Sequence, residues 1–416
     1  MHPFLKKLLD GENVEWKPLG EVAEIRKGEQ LNKEFLTQTT TKTMGYPAYN
    51  GGITFSGFTN KFNYPENTII ISQGGASAGF VNFVDTKFWA NAHCYVVLPN
   101  TGQAANKYIY YFLKSKQVEL MQKQHGAGIP ALRASEIINL PIPIPAPNNP
   151  EKSLAIQNEI VRMLDTFTKL ISELTRELGL RKKQYQYYRD KLLDFKNATD
   201  FPFLQKLLNG AQVEWKPLGE IGEIIRGNGL QKKDFTETGV PAIHYGQIYT
   251  FYGLSTETTQ SFVSEELAKK LSKVNCGDVV ITNTSENLED VGKALVYLGE
   301  KQAVTGGHAS IFKPSSEIIG KYFAYYTQTA IFFDEKRKYA KGTKVIDISA
   351  RDLAKIIIPI PPIETQNQIV DILDKFDALT HSLTEGLPKE IELRKKQYAY
   401  YRDLLLNFPK EESSRK

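Results

Sequence analysis

Cysteine is nearly absent: Cys94 and Cys276 are the only two in 416 residues, one in each half and neither in a CxxC pair. That scarcity argues against a zinc site and against a disulfide framework, and fits a cytoplasmic chain. No apolar run approaches the roughly 20 residues that a membrane helix needs. The opening MHPFLKKLLDG is too short and too charged to read as a signal peptide. Catalytic motifs are missing as well. There is no GxxxxGK[ST] loop for nucleotide phosphates. The string nearest to an amine-holding NPPY loop, Asn139-Leu-Pro-Ile, carries the wrong residues. Gly74-Gly75-Ala-Ser-Ala-Gly79 follows one strand and runs into another, Phe80-Val-Asn-Phe-Val, so it reads as a hairpin loop and not as a phosphate-binding helix start. No carboxylate cluster has nuclease spacing. The chain is expected to be no enzyme, with no cofactor or metal of its own.

What remains is an ordinary globular composition, 24% charged and 41% hydrophobic, with a net charge of +5. Such a balance permits a polyanionic partner without requiring one. The informative feature is a duplication. FLKKLLDGENVEWKPLGEVAEIRKG at 4–28 returns as FLQKLLNGAQVEWKPLGEIGEIIRG at 203–227, and eleven of the fifteen residues from Val14 to Gly28 recur in Val213–Gly227. The offset between copies is 199 there, 216 at Pro143 and Pro359, 209 at Gln157 and Gln366, and 213 at Leu180 and Leu393. Two constant frames therefore carry two variable inserts.

The frames contain helical runs. Ile156, Ile160, Met163, Phe167, Leu170, Leu174 and Leu178 alternate three- and four-residue steps with one extra four-step, as do Ile369, Ile372, Phe376, Leu379, Leu383 and Leu387. That is a coiled-coil seam with a stutter. Ile171–Leu174 and Thr175–Leu178 read as a tandem four-residue unit. The first helix has only Gly179 and should run more continuously, while Gly386 and Pro388 should kink or break the second. Both end in near-identical words, LRKKQYQYYRDKLLDF at 180–195 and LRKKQYAYYRDLLLNF at 393–408. The inserts mix strands (68–72, 94–98, 278–282, 310–312) with helices expected over 105–123 and 318–339, and each closes on a Pro-Ile-Pro segment.

With these pieces assembled, the chain resembles the specificity (S, HsdS) subunits of type I DNA restriction–modification systems. The resemblance spans essentially the whole chain and rests on two variable modules, the QNEIVRMLD and QNQIVDILD helix starts, the RKKQYxYYRD helix ends and the WKPLGEVAEIRKG and WKPLGEIGEIIRG module openings. It implies an α+β fold: two target recognition domains separated by two long antiparallel coiled-coil helices, in a pseudo-twofold repeat. Residues 1–148 would be the first recognition domain, 149–196 the first spacer, 197–362 the second domain, 363–408 the second spacer, and 409–416 a disordered tail. Each domain would read one half of a split, asymmetric double-stranded DNA site. The helices would fix the gap and dock two methyltransferase subunits. S-adenosylmethionine, ATP and Mg would belong to those and to the restriction/translocase subunits. No membrane is implied.

DNA reading needs Lys or Arg for phosphates and Asn, Gln, Arg or hydroxyls for base edges. In the first module the polar loops offer Arg26, Lys27, Gln30, Asn32, Lys33, Lys42, Asn50, Ser56, Asn60, Lys61, Gln73 and Ser77. In the second they offer Arg226, Asn228, Gln231, Lys232, Lys233, His244, Tyr245, Gln247, Asn283, Ser285, Lys341 and Lys344. His93 and His308 hold matching places, which favours a structural or phosphate role over base reading. Tyr185, Tyr188, Arg189, Tyr398, Tyr401 and Arg402 are candidates for the methyltransferase interface, since three tyrosines within four positions cannot all face one seam. A rival reading makes the chain a protein-binding adaptor that dimerises through its helices. Salt-dependent, sequence-specific DNA binding separates the two.

Overall fold

The computed structural model describes residues 3–41, 43–126, 128, 130–382 and 384–408. The candidate Lys42, the seam residue Leu383 and the tail 409–416 lie outside the described residues. The chain divides into two compact units, one of residues up to Glu173 together with those from Ile391 onward, the other Leu174–Glu390.

In the first unit, a four-stranded antiparallel sheet runs in the order Ala23–Lys27, Cys94–Pro99, Thr68–Ser72, Val81–Val84. A second sheet joins Gly57–Thr59, Tyr46–Tyr49 and Trp89–Ala90. The apolar run Ile69–Ile71 follows from the strand's interior position in the sheet: every residue of Thr68–Ser72 is buried. The opening strand Val14–Pro18 pairs antiparallel with Pro141–Pro145, Trp16 standing opposite Pro143. Successive residues turn their N–H groups to opposite edges, so prolines at 141, 143 and 145 leave Ile142 and Ile144 to donate across one ladder. Hydrophobic residues of the opening helix Pro3–Leu9 and of the chain's end share one core, with Leu5 and Phe408 both buried in it.

The second unit repeats the plan with larger sheets. Five strands run in the order Gly222–Arg226, Ala309–Pro314, Val279–Thr282, Ala294–Tyr297, Ser255–Thr256, and four more in the order Ser261–Val263, Val240–Ile243, Ala303–Thr305, Ser272–Val274. Glu214–Pro217 pairs with Ile357–Ile360, again placing a tryptophan, Trp215, opposite a proline, Pro359.

The first spacer helix is continuous from Pro150 to Leu192, 43 residues or about 65 Å at about 1.5 Å per residue. The second is interrupted as its glycine and proline require, into Ile363–His381 and Gly386–Leu406. Gly386 takes φ 72°, a left-handed conformation that suits glycine. Two module helices are shorter than the sequence suggests. The stretch 105–123 is split into Asn106–Ser115 and Gln117–Gln122, and 318–339 into Gly320–Tyr326 and Ala330–Arg337. In the latter, the Thr329 hydroxyl accepts from the Phe332 amide and starts a new helix.

Each unit fastens its module to the first half of a spacer helix by the same bonds. Gln157 is fully buried; its Oε1 accepts from the Ala105 amide at 2.8 Å and its Nε2 donates to the Gln103 carbonyl at 3.1 Å. Gln366, 209 residues later, accepts from the Ile319 amide at 2.9 Å and donates to the Glu317 carbonyl at 2.8 Å. Two turns on, Asp165 accepts from Lys107 and Tyr111, and Asp374 from Lys321 and Tyr325. The Tyr108 and Tyr322 hydroxyls donate to the carbonyls of Pro143 and Pro359. The QN…LD wording of the two helix starts is thus the wording of a clamp. Around it, Ile156, Ile160 and Leu164 are buried on one face, a stripe offset from the seam residue Met163.

Gln157→Leu takes from the Ala105 amide and the Gln103 carbonyl the partners that the buried side chain supplies, and should lower unfolding stability by about 1–3 kcal/mol. The neighbouring exposed Asn158→Ala should change it by less than about 0.5 kcal/mol. Chemical denaturation of the two variants checks the contrast, and equal effects would refute the clamp.

Candidate nucleic-acid interface

One end of the main sheet in each unit gathers loops that are distant in sequence. In the first unit the Gln73 amide donates to the His93 carbonyl, and the Gly28 amide to the Cys94 carbonyl, both at 2.9 Å. The Gly51 amide reaches the Cys94 sulfur at 3.3 Å. The Ser72 hydroxyl donates to the Gly52 carbonyl and Asn82 to the Ile53 carbonyl. The Leu132 amide donates to Gln73 and the Gly75 amide to Pro130. These bonds bring Arg26, Lys27, Asn50, Gln73 and Ser77 to one rim, with Ser56 on the adjoining hairpin. Gly28 is required there: a Cβ would lie 2.3 Å from the Asn91 carbonyl oxygen.

The second unit builds the same rim from different residues. The Asn283 amide donates to the His308 carbonyl, the Gly227 amide to Ala309, and the Ile348 amide to Asn283. Arg226 donates through Nε to the Gly307 carbonyl at 3.2 Å. Thr284 and His308 share a hydrogen bond of 3.0 Å, and the Tyr249 hydroxyl donates to the Thr284 carbonyl at 2.7 Å. Tyr245 lies between two imidazoles, its ring 4.6 Å from His244 and 4.8 Å from His308. The His244 Nδ1 accepts from the Gly246 amide. Burial, followed by the charges of Lys232 and His308, pushes this imidazole below the usual histidine range, so it is held neutral. Ser285 pairs with Ile346 in a short ribbon that carries Lys341 and Lys344 beside it.

Not every candidate joins these rims. Asn32, Lys33, Asn60 and Lys61 lie away from Asn50: Asn60 follows the end of the small sheet where Thr59 pairs with Tyr46, and Lys61 sits over the Phe35 ring at 5.5 Å. Gln30 donates to the neighbouring Leu31 carbonyl. Asn228 bonds to Lys270 and Ser272, and Gln231 and Asp234 form a capping box around Lys232 and Lys233. Gln247 donates to Ser261 at 2.7 Å. Asn283 is interior: it is fully buried, its Oδ1 accepts from Ser310, and its Nδ2 has no partner among the described residues. Gln73, at the matching place after its strand, likewise has a buried Oε1 without a partner there. Two basic candidates are already paired, Arg26 with Glu24 at 2.7 Å and Lys341 with Asp352 at 3.5 Å.

Thr284 and Tyr249 were not named among the sequence candidates, whereas His308 was, for a structural or phosphate role. The matched histidines were a signal for the first. Nothing local marks Tyr249, whose partner is 35 residues away.

On the spacer helices the aromatic candidates turn inward. Tyr185 is buried; its hydroxyl and Arg189 both donate to Gln328. Burial raises the phenols of Tyr185 and Tyr398, the latter to about 12. Tyr188 stacks on Phe376 at 5.5 Å and Tyr401 on Phe167 at 5.3 Å, matching pairs in the two units. Arg189 and Arg402 lie over Tyr185 and Tyr398. The exposed members are Tyr187 and Tyr400 at 55% and 60%.

Among the described residues no three His, Cys, Asp or Glu are arranged to hold a metal, and no helix is long and apolar enough to cross a membrane.

Comparison with known proteins agrees with this plan. The family model for the type I restriction modification DNA specificity domain matches twice, over 11–180 and 212–393. A specificity subunit of the type I restriction enzyme EcoR124I/EcoR124II from Escherichia coli is 38% identical over 99% of this chain and 98% of its own length. One from Haemophilus influenzae is 31% identical over 97% and 98%. A solved S subunit from M. genitalium shares the fold with TM-score 0.57 at 24% identity, covering 96% of this chain and 97% of its own. A chain from a structure of type I system assembly and conformational transition gives TM-score 0.59 at 16% identity, covering 95% and 97%. The twice-repeated domain match and the full-length relatives show that this chain belongs to the family of type I restriction–modification DNA specificity subunits, which are non-catalytic DNA-recognition components.

Proposed function

We propose that each rim reads one half of a bipartite, asymmetric DNA site and that the spacer helices fix the gap between the halves. One observation supports this above the rest. The two units share the clamp of a buried Gln157 or Gln366 and a partly exposed Asp165 or Asp374 while presenting different side chains at matching rims. A constant fastening under a variable surface is what two readers of different sequences need. Arg226 and Lys27 sit at the strand ends next to Gly227 and Gly28, where they serve phosphates. Ser77, Asn50, Tyr245 and Ser285 face base edges. The paired Arg26 and Lys341 exchange a carboxylate for a phosphate on binding. The domain boundaries 1–148, 149–196, 197–362 and 363–408 follow the same division of labour. The assembly would include two methyltransferase subunits with S-adenosylmethionine and restriction subunits with ATP and Mg, in the cytoplasm.

Binding of the assembled complex to its site should weaken linearly in log K against log salt. Arg226→Ala should flatten that slope by about 1 with little change in sequence preference. A protein-binding adaptor would show neither effect. The spacer is tested separately. A third copy of the four-residue unit after Leu178 lengthens the helix by about 6 Å, against about 3.4 Å per base pair. Mapped methylation should then show the same half-sites with a gap wider by one or two base pairs, and an unchanged gap in an assembled complex would remove the spacer role.

A further inference from the structure

Both modules end in the same hairpin, and the internal repeat shows which part of it varies. At the offset of 216 that aligns Pro143 with Pro359, residues 125–131 fall on 341–347. In the first unit the amides of His125 and Ala131 donate to one another's carbonyls, both at 2.9 Å; in the second Lys341 and Asp347 do so at 2.9 and 2.8 Å. The returning strand is then tied to the residue that follows a central strand of the main sheet. The Leu132 amide donates to the Gln73 carbonyl and the Ile348 amide to that of Asn283, and both Leu132 and Ile348 are buried. The first residue of each hairpin faces a carboxylate at the same offset: His125 lies 3.9 Å from Glu136, and Lys341 lies 3.5 Å from Asp352. The second residue is glycine in both, with φ 110° at Gly126 and 111° at Gly342. That conformation suits glycine, and a Cβ on Gly342 would also run into the Val345 carbonyl.

Root and turn are therefore constant, and the tip is not. Gly128 in the first module corresponds to Lys344 in the second. Residues 341–345 are exposed in succession before the chain sinks to Ile348. Lys344 has no hydrogen-bond or ion-pair partner among the described residues. Next to it Val345 is 60% exposed. The helix leading into the second hairpin adds Arg337 and Lys338, both exposed, where the first module has Met121 and Gln122.

We propose that the second module's hairpin enters the major groove of DNA and that Lys344 at its tip is a specificity determinant, reading a guanine of that half-site; Gly128, at the same place in the first module, reads no base. This deepens the reading of the rims as DNA readers and rests on it. The major groove is about 12 Å wide and admits a two-stranded ribbon, and guanine offers an ammonium two acceptors there, O6 and N7. Arg337 and Lys338 at the root are placed for phosphates, which leaves the tip ammonium to go deeper. Val345 points the same way. An isopropyl group gains nothing from a phosphate but packs on a thymine methyl, which the major groove displays. With its root anchored and its turn set by glycine, the hairpin orders little on binding.

The test is competition binding by the assembled complex, with duplexes substituted one base pair at a time across both half-sites. The wild-type complex should discriminate against replacing a G·C pair in the second half-site. Lys344→Ala should reduce that discrimination about tenfold or more and leave the other positions, the first half-site and the gap as they were. Lys344→Arg, which also donates to O6 and N7, should keep it. Equal weakening at every position by Lys344→Ala would make the lysine a phosphate contact and overturn the proposal. So would unchanged discrimination, a change in the first half-site, or a loss with arginine as large as with alanine. A wild-type complex that discriminates at no position contradicts the reading of the rims itself, and is seen before any variant is compared.

Discussion

Two buried glutamines, Gln157 and Gln366, are the joints on which the rest of the molecule depends. Each bridges the amide that opens a module helix and a carbonyl just before it, across 52 or 47 residues of chain. Because the side chain is an amide, it answers a donor and an acceptor at once, which a carboxylate or an amine cannot do. The aspartate two turns later repeats the grip on a lysine and a tyrosine. Burial and the neighbouring Asp165 or Asp374 carboxylate push the phenols of Tyr111 and Tyr325 far up, so both stay proton donors at any physiological pH. The orientation of each rim relative to its half-helix is thereby fixed, and the rim itself is left unconstrained.

That separation explains why so much of the architecture was legible. Repetition exposed the frames, and the buried strands Thr68–Ser72 and Val279–Thr282 announced themselves by the β-branched apolar runs Ile69–Ile71 and Val279–Ile281. The break before Gly386 followed from a glycine and a proline inside a helical pattern. Tyr187 and Tyr400 face outward while Tyr185 is buried, as three tyrosines in four helical positions require.

What was not legible depends on partners far away in sequence. Asn283 reads as a polar loop residue; only its contact with Ser310, 27 residues on, shows that it is interior. Gln247 reads as a free amide until Ser261 is placed beside it. The split of 318–339 at Thr329 needed a hydroxyl turned onto the Phe332 amide, a choice a threonine makes only in context. The pairing of Arg26 with Glu24 was open to view, because residues two apart on a strand share a face.

The central claim is that constant frames carry independent readers. The measurement that tests it most directly is genome-wide mapping of methylated adenines by a complex in which residues 28–143 come from another member of the family. Both replaced ends lie in the shared scaffold, at Gly28 and at the Pro143 that faces Trp16. One half-site should change while the other half and the gap stay as they were. A folded, assembled chimera that altered both half-sites would contradict the account.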